Sequence, residues 1–499
     1  MSEVLIVGGG TVGLSAAVFL AHHGVRAHVI ERAAGPHRHP RATGVGFRTV
    51  ELLREVGLAQ AVDAVAVEPA AGTLGRISAE TLAAADLPSR PLGPELAQPA
   101  ARTPYTPGSL RGTCPQNRLE AVLLDAARAR GALIEYGTEL AALEQDTHRV
   151  TAVLTDGRTI HADYLIAADG ARSAVRSALG IATTGPGALG QAMNNTLFRA
   201  DLRPLLGPHG FIVCELTNPQ APGTLITIDG DKEWTLHTDR ALVPTPELIR
   251  TALGAPGLDI EIVSTMPWRV RGQIADRFRT GRTFLVGDAA HAIPPMGAFG
   301  MNTGIADAHN LAWKLALALR GQATPALLDT YEAERRPVAR LALDQAILRL
   351  RDPALHWDRG AASARARAEA GAVNAPIVHA GYRYVSASVI DPVPELPSTE
   401  DLTIALDGAP GSRLPHHWVT EDVSTLDMVA SRFTLFTAPG NTAWLAAAAD
   451  LRLPAHAVDL PELPVGGAFL VRPDGFIAWR TAGSPDHLGP VLARLLGHG

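Results

Sequence analysis

The chain opens on a short apolar run, Val4–Val7, that stops at three consecutive glycines. A run of this length bounded by turn residues predicts a strand buried on both faces, as in a parallel sheet. From Thr11 to His23, Val12, Leu14, Ala17, Val18 and Leu20 follow helical spacing, and Gly24 closes the helix. Arg26–Ile30 then predicts a second strand, and helical patterns recur over Thr49–Val56 and Arg118–Arg130. Between Leu140 and Ile160 apolar and polar residues alternate, with turn signals at Asp146–His148 and Asp156–Gly157, which predicts antiparallel strands. Tyr164–Ala168 returns to the buried-strand pattern. From about Thr183 to Trp268 alternation resumes, as in Phe211–Leu216, Thr224–Ile228 and Trp234–Thr238, and predicts a second sheet. Thr283–Val286 predicts a further strand, and Asn302–Arg320 and Leu327–Leu350 predict long helices. Asp391–Ser398, with Pro392, Pro394 and Pro397, has the composition of a linker. Beyond it, Ser424–Ala430, Thr434–Thr437, Trp444–Ala449 and Ala468–Trp479 predict a small α/β unit.

This order predicts an α/β chain with a second, sheet-containing domain between about Thr183 and Trp268 and a small α/β domain after the linker. The glycines between the first strand and helix, Gly8-Gly9-Gly10-Thr11-Val12-Gly13, give the spacing G-x-G-x-x-G. Gly8 allows a tight turn, Gly10 lets backbone approach a pyrophosphate, and Gly13 permits close helix–strand packing. The helix N-terminus offers unpaired N–H groups to the anion, and Glu31, ending the second strand, suits a ribose. These features define a dinucleotide site without choosing between NAD and FAD.

Composition excludes more than it adds. The formal charge of -6 and the absence of a basic stripe argue against nucleic-acid binding. Almost all positive charge is arginine; the lysines are Lys232 and Lys314. The cysteines, Cys114 and Cys214, form no C-x-x-C, which argues against a disulfide framework, a zinc site or dithiol redox chemistry; no metal is expected. Met1–Leu20 has no basic leader and is broken by glycines, so it reads as folded protein, and no run reaches membrane-spanning length. A cytoplasmic location is expected.

Two more motifs follow buried strands. Asp169-Gly170-Ala171-Arg172-Ser173 places an acid, a glycine and an arginine on a loop, although Asp169-Gly170 alone reads as an ordinary turn. Gly287-Asp288-Ala289-Ala290-His291 continues to Pro294-Pro295 and Gly297-Ala298-Phe299-Gly300-Met301-Asn302-Thr303-Gly304. Asp288 ends a strand on the side that takes ligands in α/β sheets, though alone it would serve as a helix N-cap. His291 alone reads as a helix-start or packing residue.

Together the three motifs resemble the FAD-dependent aromatic hydroxylases with a p-hydroxybenzoate-hydroxylase-like fold. The resemblance spans about residues 3–345, and Pro40-Arg41-Ala42, Arg48-Thr49, Gln116, Leu119, Glu120 and Leu123 agree with it. Ala298 stands where glycine is expected and Ala306 where glutamine is common. Gly467–Arg480 resembles the thioredoxin-like C-terminal domain of larger members, which include phenol hydroxylases and enzymes that tailor aromatic polyketide antibiotics. Lacking C-x-x-C, it is expected to be structural. The resemblance therefore implies a Rossmann-like FAD-binding domain in two parts, 1–180 and 276–392, an inserted sheet-containing substrate domain over 181–275, and a small thioredoxin-like α/β domain over 393–499.

The resemblance implies that NAD(P)H reduces FAD, that the reduced flavin holds dioxygen as a C4a-hydroperoxide, and that one oxygen passes to an aromatic, polyketide-like substrate. It assigns FAD to Gly8, Gly10, Thr11, Val12, Gly13, Glu31, Arg32, Arg41, Gln116, Asp169, Gly170, Arg172, Gly287 and Asp288. Gly300, Met301 and Asn302 are assigned to the flavin pyrimidine, and Pro294 and Pro295 to the wall beside the reacting edge. Candidate substrate residues on the inserted sheet are Phe211, Thr227 and His237. Three rival readings stay open: Baeyer–Villiger oxygen insertion on the same scaffold, an oxygen-independent flavin dehydrogenase or reductase, and a non-catalytic flavoprotein. A flavin halogenase lacks its W-x-W-x-I-P segment here. A homodimer is compatible with the tail domain.

Overall fold

In the computed structural model, residues 2–68, 73–91, 105–108, 110, 112–357, 361–398 and 404–498 are described. The apolar run at the start becomes the strand Ser2–Val7, which sits in the middle of an eight-stranded sheet. Leu133–Tyr136, Ala27–Glu31, Ser2–Val7, Thr159–Ala167 and Thr283–Leu285 are neighbours in that order and run parallel. Arg279–Thr280 closes one edge as an antiparallel hairpin. Val150–Leu154 pairs antiparallel with the first half of Thr159–Ala167 and carries Leu140–Gln145 beside it. Val4, Leu5 and Ile6 are fully buried, as a two-faced strand requires. The helix Thr11–His22 covers one face of this sheet. It ends where Gly24, at φ +72°, takes the left-handed position and donates to Ala21 O.

The second sheet has seven strands, in the order His291–Ala292, Glu261–Ala275, Thr183–Arg199, Glu233–Asp239, Gly223–Thr227, Gly210–Leu216 and Thr73–Ala79. Neighbours are antiparallel except the last pair, because Thr73–Ala79 runs parallel to Gly210–Leu216. The sheet therefore draws edge strands from outside the expected 181–275 insertion. Its two longest members, Thr183–Arg199 and Glu261–Ala275, are interrupted by register shifts at Ile262/Ser264, Trp268/Val270 and Gly272/Ile274. Each shift resets the alternation of faces. One side of the sheet packs on Pro246–Leu253 through Phe198, Leu225, Trp234, Leu236 and Ile249.

Phe299–Leu319 and Ala326–Arg351 are the long helices, both packed on the first sheet. The tail forms a four-stranded mixed sheet, Ala455–Ala457, Thr434–Thr437, Ala468–Val471 and Ile477–Thr481, with the helices Thr442–Asp450 and Leu488–Leu495. Contact with the tail begins before residue 393, since Tyr384 N donates to Gly411 O and Ile390 N to Ala478 O. Among the described residues no helix is long and apolar enough to cross a membrane.

The tail is fastened by buried charge. Arg472 and Asp474 form a bidentate pair with each other, and Arg472 also donates both guanidinium ends to Glu334, at 2.6 and 2.8 Å. Lys314 Nζ donates to Glu334 at 2.7 Å, and all four groups are shielded from solvent. Two cations and two anions cancel, as burial demands. The Asp474 carbonyl meanwhile accepts from Arg48 at 2.8 Å, and Arg48 and Arg413 share Glu51.

Candidate active site

The three glycine-bearing segments converge physically. Gly8 stands at φ +108°, and a Cβ there would lie 2.3 Å from Ala168 O; one on Gly13 would lie 1.9 Å from Gly8 O. A Cβ on Gly287 would strike Val12 at 2.9 Å, and one on Gly304 would strike both Val12, at 2.7 Å, and the Gly287 Cα, at 2.9 Å. The first loop, the strand end at 287 and the helix Phe299–Leu319 thus touch where only hydrogen atoms fit. Gly10 differs: the nearest protein atom to its added Cβ is 3.8 Å away. Neighbouring protein would therefore admit a side chain there, so packing does not require glycine at this position, and the close approach of a ligand would.

Polar groups surround this junction. Glu31 accepts Gly9 N at 2.7 Å and Ala33 N at 2.8 Å, one on each oxygen, leaving a lone pair on each for ribose hydroxyls. Asp169 accepts Val175 N through Oδ2, while its buried Oδ1 has no partner. An unpaired buried acceptor is costly unless a ligand donates to it. Asp288 is solvent-exposed on the floor of a crowded cleft; this crowding raises its carboxyl above the ordinary value, with His291 and Arg41 opposing. An accessible carboxylate so surrounded by protein fits a cofactor hydroxyl.

Several expected contacts turn out to hold the frame. Thr11 donates both N–H and hydroxyl to Glu120 Oε1, at 3.0 and 2.8 Å, so its donors are occupied and unavailable to a phosphate. Gln116 donates to the same oxygen and to the Thr11 hydroxyl, and accepts Arg41 N at 3.2 Å. Burial opposes the charge of Glu120, but hydrogen bonds from His37 and Thr11 outweigh it and hold the carboxyl below its usual range. The Asn302 side chain is fully engaged: Oδ1 accepts Gly46 N and the Thr49 hydroxyl, and Nδ2 donates to Gly44 O and Ala298 O. It clamps the 44–49 segment to the helix, leaving only its backbone for a flavin. Arg32, Arg41 and Arg172 are exposed; Gly170 sits at φ +81°. Pro294 is buried and Pro295 exposed, while Gly300 and Met301 are half-buried at the start of the helix.

Asp307 was not expected. Its Oδ2 accepts Gly287 N at 3.1 Å and pairs with His291 at 2.6 Å, and its Oδ1 accepts Arg335 Nε at 2.7 Å, all without solvent exposure. Burial works against the charge, yet His291 and Arg335 overcome it and keep Asp307 below its ordinary value. His291 is thereby a structural hydrogen-bond partner of Asp307. Arg176 joins the second and third motifs by donating to Ala171 O and Ala289 O. No sequence signal marks these links, because charged positions within apolar helical patterns carry no label of their partner.

The substrate candidates divide. Phe211 is 1% exposed and packs on Trp234, with ring centroids 5.7 Å apart, inside the core behind the second sheet. Thr227 caps a turn by accepting Gly230 N at 2.9 Å. Neither faces the cleft, because cross-strand register, invisible in one sequence, assigns the faces. His237 lies on the opposite face from Trp234 and Leu236 and pairs in register with Asn195.

Ala298 precedes the Phe299–Leu319 helix at φ +55°, a left-handed position that costs a residue with a Cβ about 1–2 kcal/mol. Ala298→Gly is expected to stabilise the protein by about 1 kcal/mol. A urea midpoint that fell on substitution would contradict this account of the helix start.

Fold and site together define an FAD-binding flavoprotein. Residues 1–346 match the FAD binding domain family, and residues 407–499 match the aromatic-ring hydroxylase C-terminal family. The chain belongs to the FAD-dependent aromatic-ring hydroxylases and is an FAD-dependent oxidoreductase. It is 39% identical to tetracenomycin B2 monooxygenase-dioxygenase of Streptomyces olivaceus, over 99% of this chain and 98% of that one. Among solved structures it resembles the flavin-dependent monooxygenase PieE in complex with FAD and substrate, with TM-score 0.84 and 32% identity over 100% and 99% of the two chains. A ternary complex of aklavinone-11 hydroxylase with FAD and aklavinone gives TM-score 0.81 and 34% identity, covering 99% of each chain.

Proposed function

We propose that the protein uses NAD(P)H and dioxygen to hydroxylate an aromatic, polyketide-like ring. The reading rests on the meeting of Val12 with Gly287 and Gly304, and of Gly8 with Ala168 just before Asp169, which brings the three distant motifs to one junction. Relatives whose names describe polyketide oxygenation support the substrate class. Bound FAD, once reduced, supplies oxygen activation at its C4a position and delivery of one oxygen atom. The protein binds, orients and shields. Gly8, Gly10 and Gly13 admit the pyrophosphate, Glu31 receives the adenosine ribose, and Asp169 and Asp288 receive further donors of the cofactor. The N–H groups at Gly300 and Met301, in the first turn of the Phe299–Leu319 helix, would suit the pyrimidine and would favour negative charge there. Asn302 fixes the 44–49 segment over the site, while Pro294 and Pro295 wall the reacting edge and help keep water out.

The test is NADPH and NADH oxidation by the yellow protein with a panel of polycyclic phenols, under heavy-isotope dioxygen. A labelled hydroxyl in the product supports the reading. Insertion of label beside a ketone would instead establish Baeyer–Villiger chemistry. Turnover without oxygen uptake would establish a dehydrogenase, and flavin that no donor reduces would establish a non-catalytic role.

A further inference from the structure

The tail reaches the segment that the functional reading places over the flavin. Asn302 holds one end of the 44–49 segment, accepting Gly46 N and donating to Gly44 O. The other end enters the helix Phe47–Glu55, where the buried Arg48 donates Nη1 to Glu51 at 3.0 Å and Nη2 to the Asp474 carbonyl at 2.8 Å. Glu51 belongs to the same helix, but its carboxylate is gripped from the tail. Arg413, fully buried and 362 residues further along the chain, donates Nε to Oε2 at 3.1 Å and Nη2 to Oε1. Arg413 Nη2 also donates to the Tyr105 carbonyl, and the Tyr105 ring packs on Phe47 with centroids 5.1 Å apart. Phe47 and Arg48, the last links before the segment becomes helix, are thus both braced by one tail side chain.

Phe476 adds a second line of contact. Its ring lies 5.7 Å from the Arg48 guanidinium and 4.2 Å from the Tyr384 ring, measured to centroids. The Tyr384 hydroxyl accepts Arg335 Nη1 at 3.1 Å, and Arg335 holds Asp307, which receives Gly287 N. The tail therefore abuts two of the pieces that meet at the cofactor. Attachment alone does not call for the Arg413 contacts, because the Glu334 network and the Arg54–Asp427 pair already fasten the tail. Burial works against the Glu51 charge, and Arg413 and Arg48 overcome it and hold the carboxyl below its usual range. A buried ion pair adds little stability over an apolar contact of equal volume, yet its hydrogen bonds fix direction. What the arrangement fixes is Arg48.

We infer that Arg413 is a positioning residue of the flavin site: acting through Glu51 and Arg48, it sets the 44–49 segment against the cofactor. The inference rests on the reading above that places this segment over the flavin, and it gives the tail a part in cofactor binding. Arg413→Met tests it without stranding a charge, since Arg48 and Glu51 remain as a balanced pair. Arg48 then keeps its carboxylate partner but loses what braces that partner.

The experiment dilutes full-length, FAD-loaded protein, follows FAD release by flavin fluorescence, and records the visible absorption band of the bound flavin. Arg413→Met is expected to weaken FAD binding by about ten-fold, the scale on which substitutions along a coupling path act, and to displace the flavin band. Arg413→Lys keeps the charge without the two-pronged grip and should fall between. Arg54→Ala cuts a contact between the same helix and the tail without touching Glu51, and should leave both readings at the parent's values. Arg413 variants with the parent's FAD affinity and spectrum, whatever their melting temperature, would overturn the inference. So would equal weakening by Arg54→Ala, because loosening the tail anywhere would then loosen the flavin. If Arg413→Met does not fold, Arg413→Lys carries the same comparison. Neither reading uses substrate, dioxygen or NAD(P)H, so a failure here leaves the hydroxylation proposal standing, and a failure of hydroxylation leaves this inference standing.

Discussion

Glu334→Ala is expected to destabilise the protein by about 3–5 kcal/mol, the scale seen when one member of a buried ion pair is removed. The carboxylate receives Arg472 twice, Lys314, Asn310 and the Ser386 hydroxyl, so its loss leaves Lys314 and Arg472 buried with Asp474 as the only anion of the network, one positive charge uncompensated. Burial opposes the Glu334 charge, but Arg472 and Lys314 overwhelm it and hold the carboxyl far below the usual range. A carboxyl depressed in the folded state contributes stability above its unfolded value and surrenders it as pH falls towards its folded value. The parent protein should thus keep this contribution at neutral pH and lose it progressively in acid below the ordinary glutamate range. Arg158→Ala supplies the contrast, because Arg158 is half exposed and its partners Asp156 and Glu135 are at the surface. Its cost should be small beside that of Glu334→Ala, because solvent screens an exposed pair. Urea unfolding of the two variants decides the matter, and comparable shifts would show that the buried network is not what holds the tail.

The network also illustrates which parts of the chain could be read without a structure. Val4–Val7 and Thr434–Thr437 are apolar runs flanked by turn residues, and both are strands. Their environment is uniform on both faces, so composition alone reveals them. Thr183–Arg199 and Glu261–Ala275 carry the cleft-facing residues but could not be traced as single strands. Gly185 and Gly187 take positive φ, Pro267 interrupts, and each register shift exchanges the inner and outer sets. For the same reason Phe211 looked like a pocket aromatic and proved to be core. Asp307 and Arg335 lie on successive helices, separated by 28 residues in sequence, and their pairing emerges only when the helices pack. The glycines, in contrast, were legible. Their demand on space is local, and the loop around them is the same whether or not distant partners are known.

Gly10→Ala and Gly13→Ala are expected to fail in different ways, and the difference tests what each glycine is for. A Cβ on Gly13 would sit 1.9 Å from the Gly8 carbonyl oxygen, with the Ala168 Cβ at 3.3 Å, both within the frame of the first strand and its neighbour. Backbone must move to admit it. Overpacking at so rigid a point costs on the order of 1–3 kcal/mol or more, so Gly13→Ala should lower the melting temperature even of protein stripped of FAD. Gly10 has φ -81° and an added methyl would meet only ordinary contacts, Glu120 at 3.8 Å and His37 at 3.9 Å, so the FAD-free variant should unfold where the parent does. Yet that methyl would occupy the approach of the pyrophosphate to the helix N-terminus, where backbone proximity gives the anion its hydrogen bonds. Losing two such bonds to a charged group, at about 1.5–3 kcal/mol each, weakens FAD binding by about a hundred-fold or more. Gly10→Ala is therefore expected to purify as a folded, colourless protein that takes up FAD only at high concentration. If it proved yellow at the parent's affinity, Gly10 would not be where the pyrophosphate meets the chain, and the cradle would have to be placed elsewhere along the 8–13 loop. If it proved unstable without cofactor, the open space at Gly10 would be serving the fold after all.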